Sequence, residues 1–237
     1  MNLKNLRTYV PNLFTLLNLF CGSVSVIFAL QVDLITSSYF VFLGILFDFL
    51  DGFFARKFNL QSSLGLQLDS LADMVTSGLV PGIFMMNLLQ ISLDSSWPLW
   101  DIIPYFALTI TLCSAYRLAN FNISNQNNYF VGLPTPANTI LVISLPLVLK
   151  FQDSELWSSI ILSPTFLVVL TFLLSFLLNA KLRLISLKFK TWDFKVNSDK
   201  YILIISSFLI LSFFKWAGIF LMIIFYVLFS VLRPPKN

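Results

Sequence analysis

Histidine is absent from this chain, which removes His triads, His-based acid–base chemistry and His-ligated zinc together. Charge is scarce as well. Asp, Glu, Lys and Arg make up 11% of the residues, against about 25% in an ordinary soluble domain. So few polar side chains cannot cover a soluble surface, and a disordered chain or a nucleic-acid-binding domain is excluded on the same ground. Cysteine is limited to Cys21 and Cys113. Both sit in apolar stretches without partner spacing, so a disulfide scaffold is excluded and each reads as a buried small hydrophobe. What the chain has in plenty is apolar: the AVILMFWYC set reaches 57%, with 26 Phe, where roughly 45–50% is usual even with Gly counted. A chain of 237 residues with this make-up suits one compact membrane bundle.

A bilayer span needs about 20 mainly apolar residues. Such runs cover residues 9–31, 35–57, 64–91, 98–121, 132–150 and 158–179. A further run from Tyr201 to Leu232 is too long for one ordinary span, and Lys215-Trp216-Ala217-Gly218 interrupts it. That run predicts a tight pair of short helices. The expected fold is therefore all-α, a polytopic membrane bundle of about eight transmembrane helices, forming one domain over 1–237 with both termini cytoplasmic. Basic residues support that count. With Lys4 and Arg7 inside, every Lys and Arg falls on the inner side except Lys150 and Lys215, the bias that cytoplasmic loops carry. The apolar run after Arg7 is too long for a signal-peptide core and lacks a small-x-small cleavage site, so it reads as a permanent helix. Asn122-Ile123-Ser124 matches a glycosylation sequon but falls in an expected cytoplasmic loop, and reads as a chance match. Residues 181–200 alternate basic and apolar, the pattern of an interfacial connector touching anionic headgroups.

The remaining acids are the informative ones. Asp48 and Asp51 lie in the inner part of the second run, Asp69 and Asp73 in the inner part of the third. A charge deep in a span costs about 2.5–3.5 kcal/mol, so four left unpaired would cost on the order of 10 kcal/mol. The group must take up protons or bind cations. Asp48, Asp51, Gly52 and Ala55 stand at i, i+3, i+4 and i+7, one helical stripe; Gly65, Asp69 and Asp73 stand at i, i+4 and i+8, another. A short link makes the two helices antiparallel neighbours, so the carboxylates face each other at the cytoplasmic end. Gly52, Ala55 and Gly65 leave that cleft nearly free of side chains, and Arg56 adds a fixed positive charge. All-oxygen ligation favours two hard divalent cations, Mg²⁺ or Mn²⁺. Such a clamp beside an Arg suits a diphosphate ester, with nucleotide in the cleft and lipid tails in the bilayer.

Residues 48–73, read D-x-x-D-G-x-x-A-R-x8-G-x3-D-x3-D, resemble the complete signature of the CDP-alcohol phosphatidyltransferases. Eight fixed positions at about 1 in 20 each coincide by chance roughly once in 10^10 starts. The resemblance implies that Asp48, Asp51, Asp69 and Asp73 ligate two divalent ions and that Asp73 is also the general base. It implies too that Gly52, Arg56 and Ser62 contact the CDP moiety, with Ala55 and Gly65 lining the same cleft. Asn12 and Thr15 resemble positions that touch the nucleotide; equally, they and Asn18 fit interhelical hydrogen bonding.

The stretch from Pro11 to Gly22 (PNLFTLLNLFCG) is similar to the opening of the membrane-integral (type II) phosphatidylserine synthases. So are Tyr116-Arg117-Leu118-Ala119 with Phe121-Asn122, and Gly132-Leu133-Pro134-Thr135-Pro136-Ala137. Asn120 stands where that pattern has an Arg, which thins the positive lining of the acceptor pocket. The likeness implies CDP-diacylglycerol and L-serine as substrates, phosphatidylserine and CMP as products, a homodimer, and a place in a bacterial cell (inner) membrane with the site facing the cytoplasm. Arg117 is then the acceptor-binding residue, since an intramembrane cation calls for an anionic partner; snorkelling to the interface is its other reading. Pro134 and Pro136 either begin a helix or shape that pocket. Two other functions fit parts of the pattern. One is the same chemistry on glycerol 3-phosphate, inositol or choline. The other is a divalent-cation transporter, which leaves the fixed Gly, Ala and Arg without a role.

Overall fold

The structure, a computed structural model, describes residues 3–60, 62–93, 101–123, 130–185 and 197–233. Most of the connector at 181–200, with Lys188, Lys190 and Lys195, lies outside the described residues, as do Asp94, Ser124 of the sequon and Lys236. Two long helices open the chain, α1 (Leu3–Leu30) and α2 (Leu34–Lys57). They run antiparallel across a three-residue turn in which Val32 takes a positive φ and Asp33 caps α2, accepting from the Thr36 amide at 3.1 Å. That bonding to Thr36 holds the exposed Asp33 carboxyl below the usual carboxylate range. Ser25 and Ser37 bond each other's carbonyls at 3.1 and 2.8 Å and clamp the turn end of the pair.

The third apolar run forms α3 (Ser63–Asp73), a π-helical turn at Met74–Leu79 and α4 (Val80–Ser92). Pro81 explains the interruption. It has no N–H to give and its ring crowds the carbonyl four residues back, so one extra residue per turn is admitted just upstream. The carbonyl of Ser77 that Pro81 would leave unpaired accepts from Thr139 Oγ1 at 2.9 Å, and that of Gly78 accepts from Thr111 Oγ1 at 3.0 Å. The stretch from Val80 to Leu89 is almost wholly buried, with Phe84 and Met85 at its centre. It is the axis of the bundle.

A 3-10 turn (Ile103–Leu108) leads into α5 (Thr109–Ile123), and α6 (Thr135–Phe151) follows. Pro134 and Pro136 stand at the start of α6, the position where a missing N–H does no harm. α7 (Glu155–Ile161) and α8 (Pro164–Asn179) meet at a 61° bend. The expected single span over 158–179 is thus broken, at Ser163-Pro164. The sequence reading contained no strand, yet β1 (Phe130–Val131) and β2 (Arg183–Leu184) form a short antiparallel ladder tying the entry of α6 to the exit of α8. Gly132 beside it has φ +74°, and a Cβ there would lie 2.5 Å from the Leu178 carbonyl. Only glycine fits.

The last run is α9 (Ser198–Leu232). Lys215 inside it has φ 50° and ψ −122°, and the chain doubles back: Arg233 Nη1 meets Asp199 Oδ1 at 3.0 Å. In a straight helix those ends would be about 50 Å apart. The expected helix pair is present. Among the described residues, four helical stretches qualify as membrane spans by length and apolarity, Val10–Leu30, Leu34–Lys57, Ser63–Ser92 and Ser198–Leu232, or five with the bent α7–α8 pair; α6 is shorter. The protein is a helical bundle with the character of an integral membrane protein.

Candidate active site

Asp48 and Asp51 lie one turn apart on α2, and Asp69 lies on α3. One carboxylate oxygen from each comes within 4.8 Å of the others. At an effective dielectric near 20, two charges at that distance repel by about 3.5 kcal/mol, so three ionised carboxylates do not share this space without a counter-charge. Asp69 Oδ1 is buried and meets no hydrogen-bond donor among the described residues. A divalent cation satisfies both conditions, and an all-oxygen donor set suits Mg²⁺ or Mn²⁺. The residues fit the group.

Asp73 stands one turn beyond Asp69, outside that trio. Asn18 Nδ2 donates to its Oδ1 at 3.3 Å, and Arg117 on α5 acts on it as a positive charge. The Nε of Arg117 is buried and unpartnered among the described residues. Thr15 Oγ1 donates to Asp51 Oδ2 at 2.6 Å and also reaches the Pro11 carbonyl at 3.1 Å. The reading of Asn12, Thr15 and Asn18 thereby divides. Thr15 and Asn18 reach across to hold Asp51 and Asp73, while Asn12 lines the cleft. Asn18, left out of the expected site set, is part of it. Its spacing gave the signal, because Asn12, Thr15 and Asn18 recur every three residues down one side of α1.

Next to the trio opens a cleft of about 520 Å³. All seven residues expected to meet the CDP-lipid line it: Asn12, Thr15, Gly52, Ala55, Arg56, Ser62 and Gly65. Asp51 and Asp69 line it too, and Pro11, Leu60, Ser63 and Leu66, which were not foreseen, complete the wall. The Arg56 guanidinium folds back over Gly52, where a Cβ would come within 3.3 Å of Nη1. At Gly65 a Cβ would come within 3.2 Å of Asn12 Oδ1. Glycine at both positions keeps the cleft floor open. Ser62 has a structural duty besides, capping α3 by accepting from the Gly65 amide at 3.0 Å. Asp51, Asp69 and Arg56 line the one cleft, so carboxylates for a cation and a guanidinium for a diphosphate are offered to the same space.

Comparison with known proteins agrees with this geometry. Residues 8–192 match the family described as CDP-alcohol phosphatidyltransferase. The chain is 36% identical over 137 residues to a CDP-diacylglycerol–serine O-phosphatidyltransferase of Bacillus subtilis, covering 57% of this chain and 74% of that protein. Proteins of the same name match from Methanocaldococcus jannaschii, at 34% over 134 residues (56% of this chain, 58% of the relative), and from Mycobacterium bovis, at 32% over 157 residues (62% and 52%). The chain thus spans three quarters of the first relative but little more than half of the other two. With residues 8–192 of its 237 matched to that family, the chain belongs to the CDP-alcohol phosphatidyltransferases.

Proposed function

We propose that the protein transfers the phosphatidyl group of CDP-diacylglycerol to L-serine, giving phosphatidylserine and CMP. The observation that carries this reading is the meeting of Asp48, Asp51 and Asp69 beside a cleft walled by Arg56 and floored by Gly52 and Gly65. The serine acceptor is carried over from the relatives' names, and the chemistry of Arg117 agrees with it.

Two divalent cations, Mg²⁺ or Mn²⁺, held by Asp48, Asp51, Asp69 and Asp73, would neutralise the diphosphate and ease departure of CMP. The other steps belong to the protein's own side chains. Arg56 binds the diphosphate, and the open floor of the cleft lets it sit against backbone. Asp73 takes the proton of the serine hydroxyl as its oxygen attacks the lipid-side phosphorus. The bond from that phosphorus to the bridging oxygen breaks, and CMP leaves with the electron pair. Asn18 keeps Asp73 aimed at the acceptor, and Thr15 fixes Asp51. Lipid tails extend into the bilayer from a site near the cytoplasmic face. The fuller arrangement we infer has eight crossings, both termini and the active site on the cytoplasmic side of a bacterial cell membrane, and two copies per assembly.

The test uses purified protein, CDP-diacylglycerol micelles and Mn²⁺, with a panel of serine, glycerol 3-phosphate, inositol and choline. Serine is expected to release CMP and yield phosphatidylserine, and chelation to stop it. Asp73→Asn should fold, insert and lose activity by at least about a hundredfold, the lower range for a general base. Near-normal turnover in Asp73→Asn removes it as the base, and a product from another alcohol alone removes serine.

A further inference from the structure

Outside the lining of the nucleotide cleft, a set of buried polar groups has no answering partner among the described residues. Ser77 on the π turn, Ser114 on α5 and Asn138 on α6 are 1%, 0% and 0% exposed. The hydroxyls of both serines and both amide atoms of Asn138 have no hydrogen-bond partner among the described residues, and neither has Arg117 Nε. The π turn packs against both α5 and α6. Gly78 sits against Ser114, where an added Cβ would come within 3.3 Å of the serine Cβ. Thr139, next to Asn138, donates to the Ser77 carbonyl at 2.9 Å. Arg117 lies one turn from Ser114 and neighbours Asp73. Native interiors rarely leave buried polar atoms unpaired, and a cluster of them marks a place for water or a ligand.

The kinds of group present narrow the ligand. A guanidinium N–H, two hydroxyls and an amide N–H donate; an amide oxygen and two hydroxyl oxygens accept. A phosphorylated alcohol brings a charge of about −1.5 to −2, which the single guanidinium of this set does not balance. An uncharged polyol would leave Arg117 without an anion. A small zwitterion uses both halves of the set. We propose that Ser77, Ser114, Arg117 and Asn138 seat the acceptor amino acid, with Arg117 and Ser114 on its carboxylate and Asn138 Oδ1 accepting from its ammonium group. Its hydroxyl then points at Asp73. This rests on the transferase reading above and makes Asn138 and Ser114 determinants of acceptor choice, neither of which resides in the metal or nucleotide site.

The experiment compares wild-type protein, Asn138→Leu and Ser114→Ala in Mn²⁺ and CDP-diacylglycerol micelles, with L-serine, glycerate (no ammonium) and ethanolamine (no carboxylate) as acceptors. Losing one bond to a charged group is expected to raise the KM for serine about tenfold. The KM for CDP-diacylglycerol should stay within about twofold of wild type. In Asn138→Leu the preference for serine over glycerate should shrink; in Ser114→Ala the preference for serine over ethanolamine should. Unchanged preferences, or both substrates' KM values rising together, would mean that the layer holds structural water and would overturn the proposal. Should Asn138→Leu fail to fold, Ser114→Ala, which removes a single oxygen, decides alone. Wild-type protein that ignores serine overturns the transferase reading itself, whereas serine turnover with insensitive variants overturns only the seat proposed here.

Discussion

Thr15 illustrates how much a single hydroxyl can carry. In an apolar helix it looks like an ordinary polar residue, yet its oxygen lies 2.6 Å from Asp51 Oδ2, short enough for a bond to an ionised carboxylate. Groups that orient a metal-binding carboxylate typically shift metal affinity by about 10–100-fold when removed. Thr15→Val keeps the shape and deletes the bond. The Mn²⁺ concentration giving half-maximal CMP release should therefore rise by about tenfold or more, while the KM for serine stays put. An unchanged Mn²⁺ requirement would show that Thr15 only packs α1 on α2. Asp73 has the weaker anchor, a 3.3 Å bond from Asn18, which suits the proton-accepting role proposed for it more than that of an ion clamp alone.

Among the elements, the π turn after Asp73 is where sequence and structure part most clearly. The two acidic stripes were legible because charge in an apolar run stands out and a 3.6-residue period fixes which side it occupies. The cleft followed from the same stripes, down to Gly52, Ala55 and Gly65. Pro81 was legible as a residue but not as a cause, since its effect depends on what answers the Ser77 carbonyl. That answer, Thr139, is 62 residues away. The unpartnered buried groups were illegible for a like reason: Ser77, Ser114 and Asn138 are ordinary polar residues until the fold buries them without a partner among the described residues. The β1–β2 ladder, two residues per strand, is shorter than any run with a readable alternation.

The Pro81–Thr139 relation makes a testable cycle. Thr139→Val alone leaves the buried Ser77 carbonyl unpaired, expected to cost about 1–3 kcal/mol. In a Pro81→Ala background residue 81 regains an N–H that can reach that carbonyl, so the same Thr139→Val should cost markedly less. Thermal unfolding in detergent of the four proteins measures the coupling. Additive losses would mean that the π turn is set by something other than proline.

For the whole molecule, the question is how many times the chain crosses the bilayer, and α9 decides it. Each arm, on either side of Lys215, holds 17 residues (198–214 and 216–232), about 25 Å of helix, near the roughly 30 Å hydrocarbon thickness. The fold-back is packed and not merely a bend. Leu203, Ser207 and Leu211 from one arm and Met222, Ile223 and Tyr226 from the other line a single apolar cavity with α6. Gly218 sits so close to the first arm that a Cβ would come within 2.8 Å of the Ile210 carbonyl. At the tip, Gln152 Oε1 accepts from the Ala217 amide at 3.0 Å and Trp216 stacks on Phe151 with centroids 5.1 Å apart, which pins the turn to the C-terminal end of α6. The Asp199–Arg233 pair at the open end is exposed and contributes about 1 kcal/mol at most, so packing holds the hairpin. Two arms that both cross return the C-terminal end to the side of Lys200, in agreement with the basic-residue bias. With Cys21 and Cys113 replaced by Ala, a single Cys at 199 or at 233 should react with a membrane-impermeant maleimide only from the cytoplasmic face. A Cys at 215 should react only from the opposite face. Labelling of 199 and 233 from opposite faces would break the hairpin and reduce the crossing count by one, and labelling of all three from the cytoplasm would make α9 a re-entrant loop.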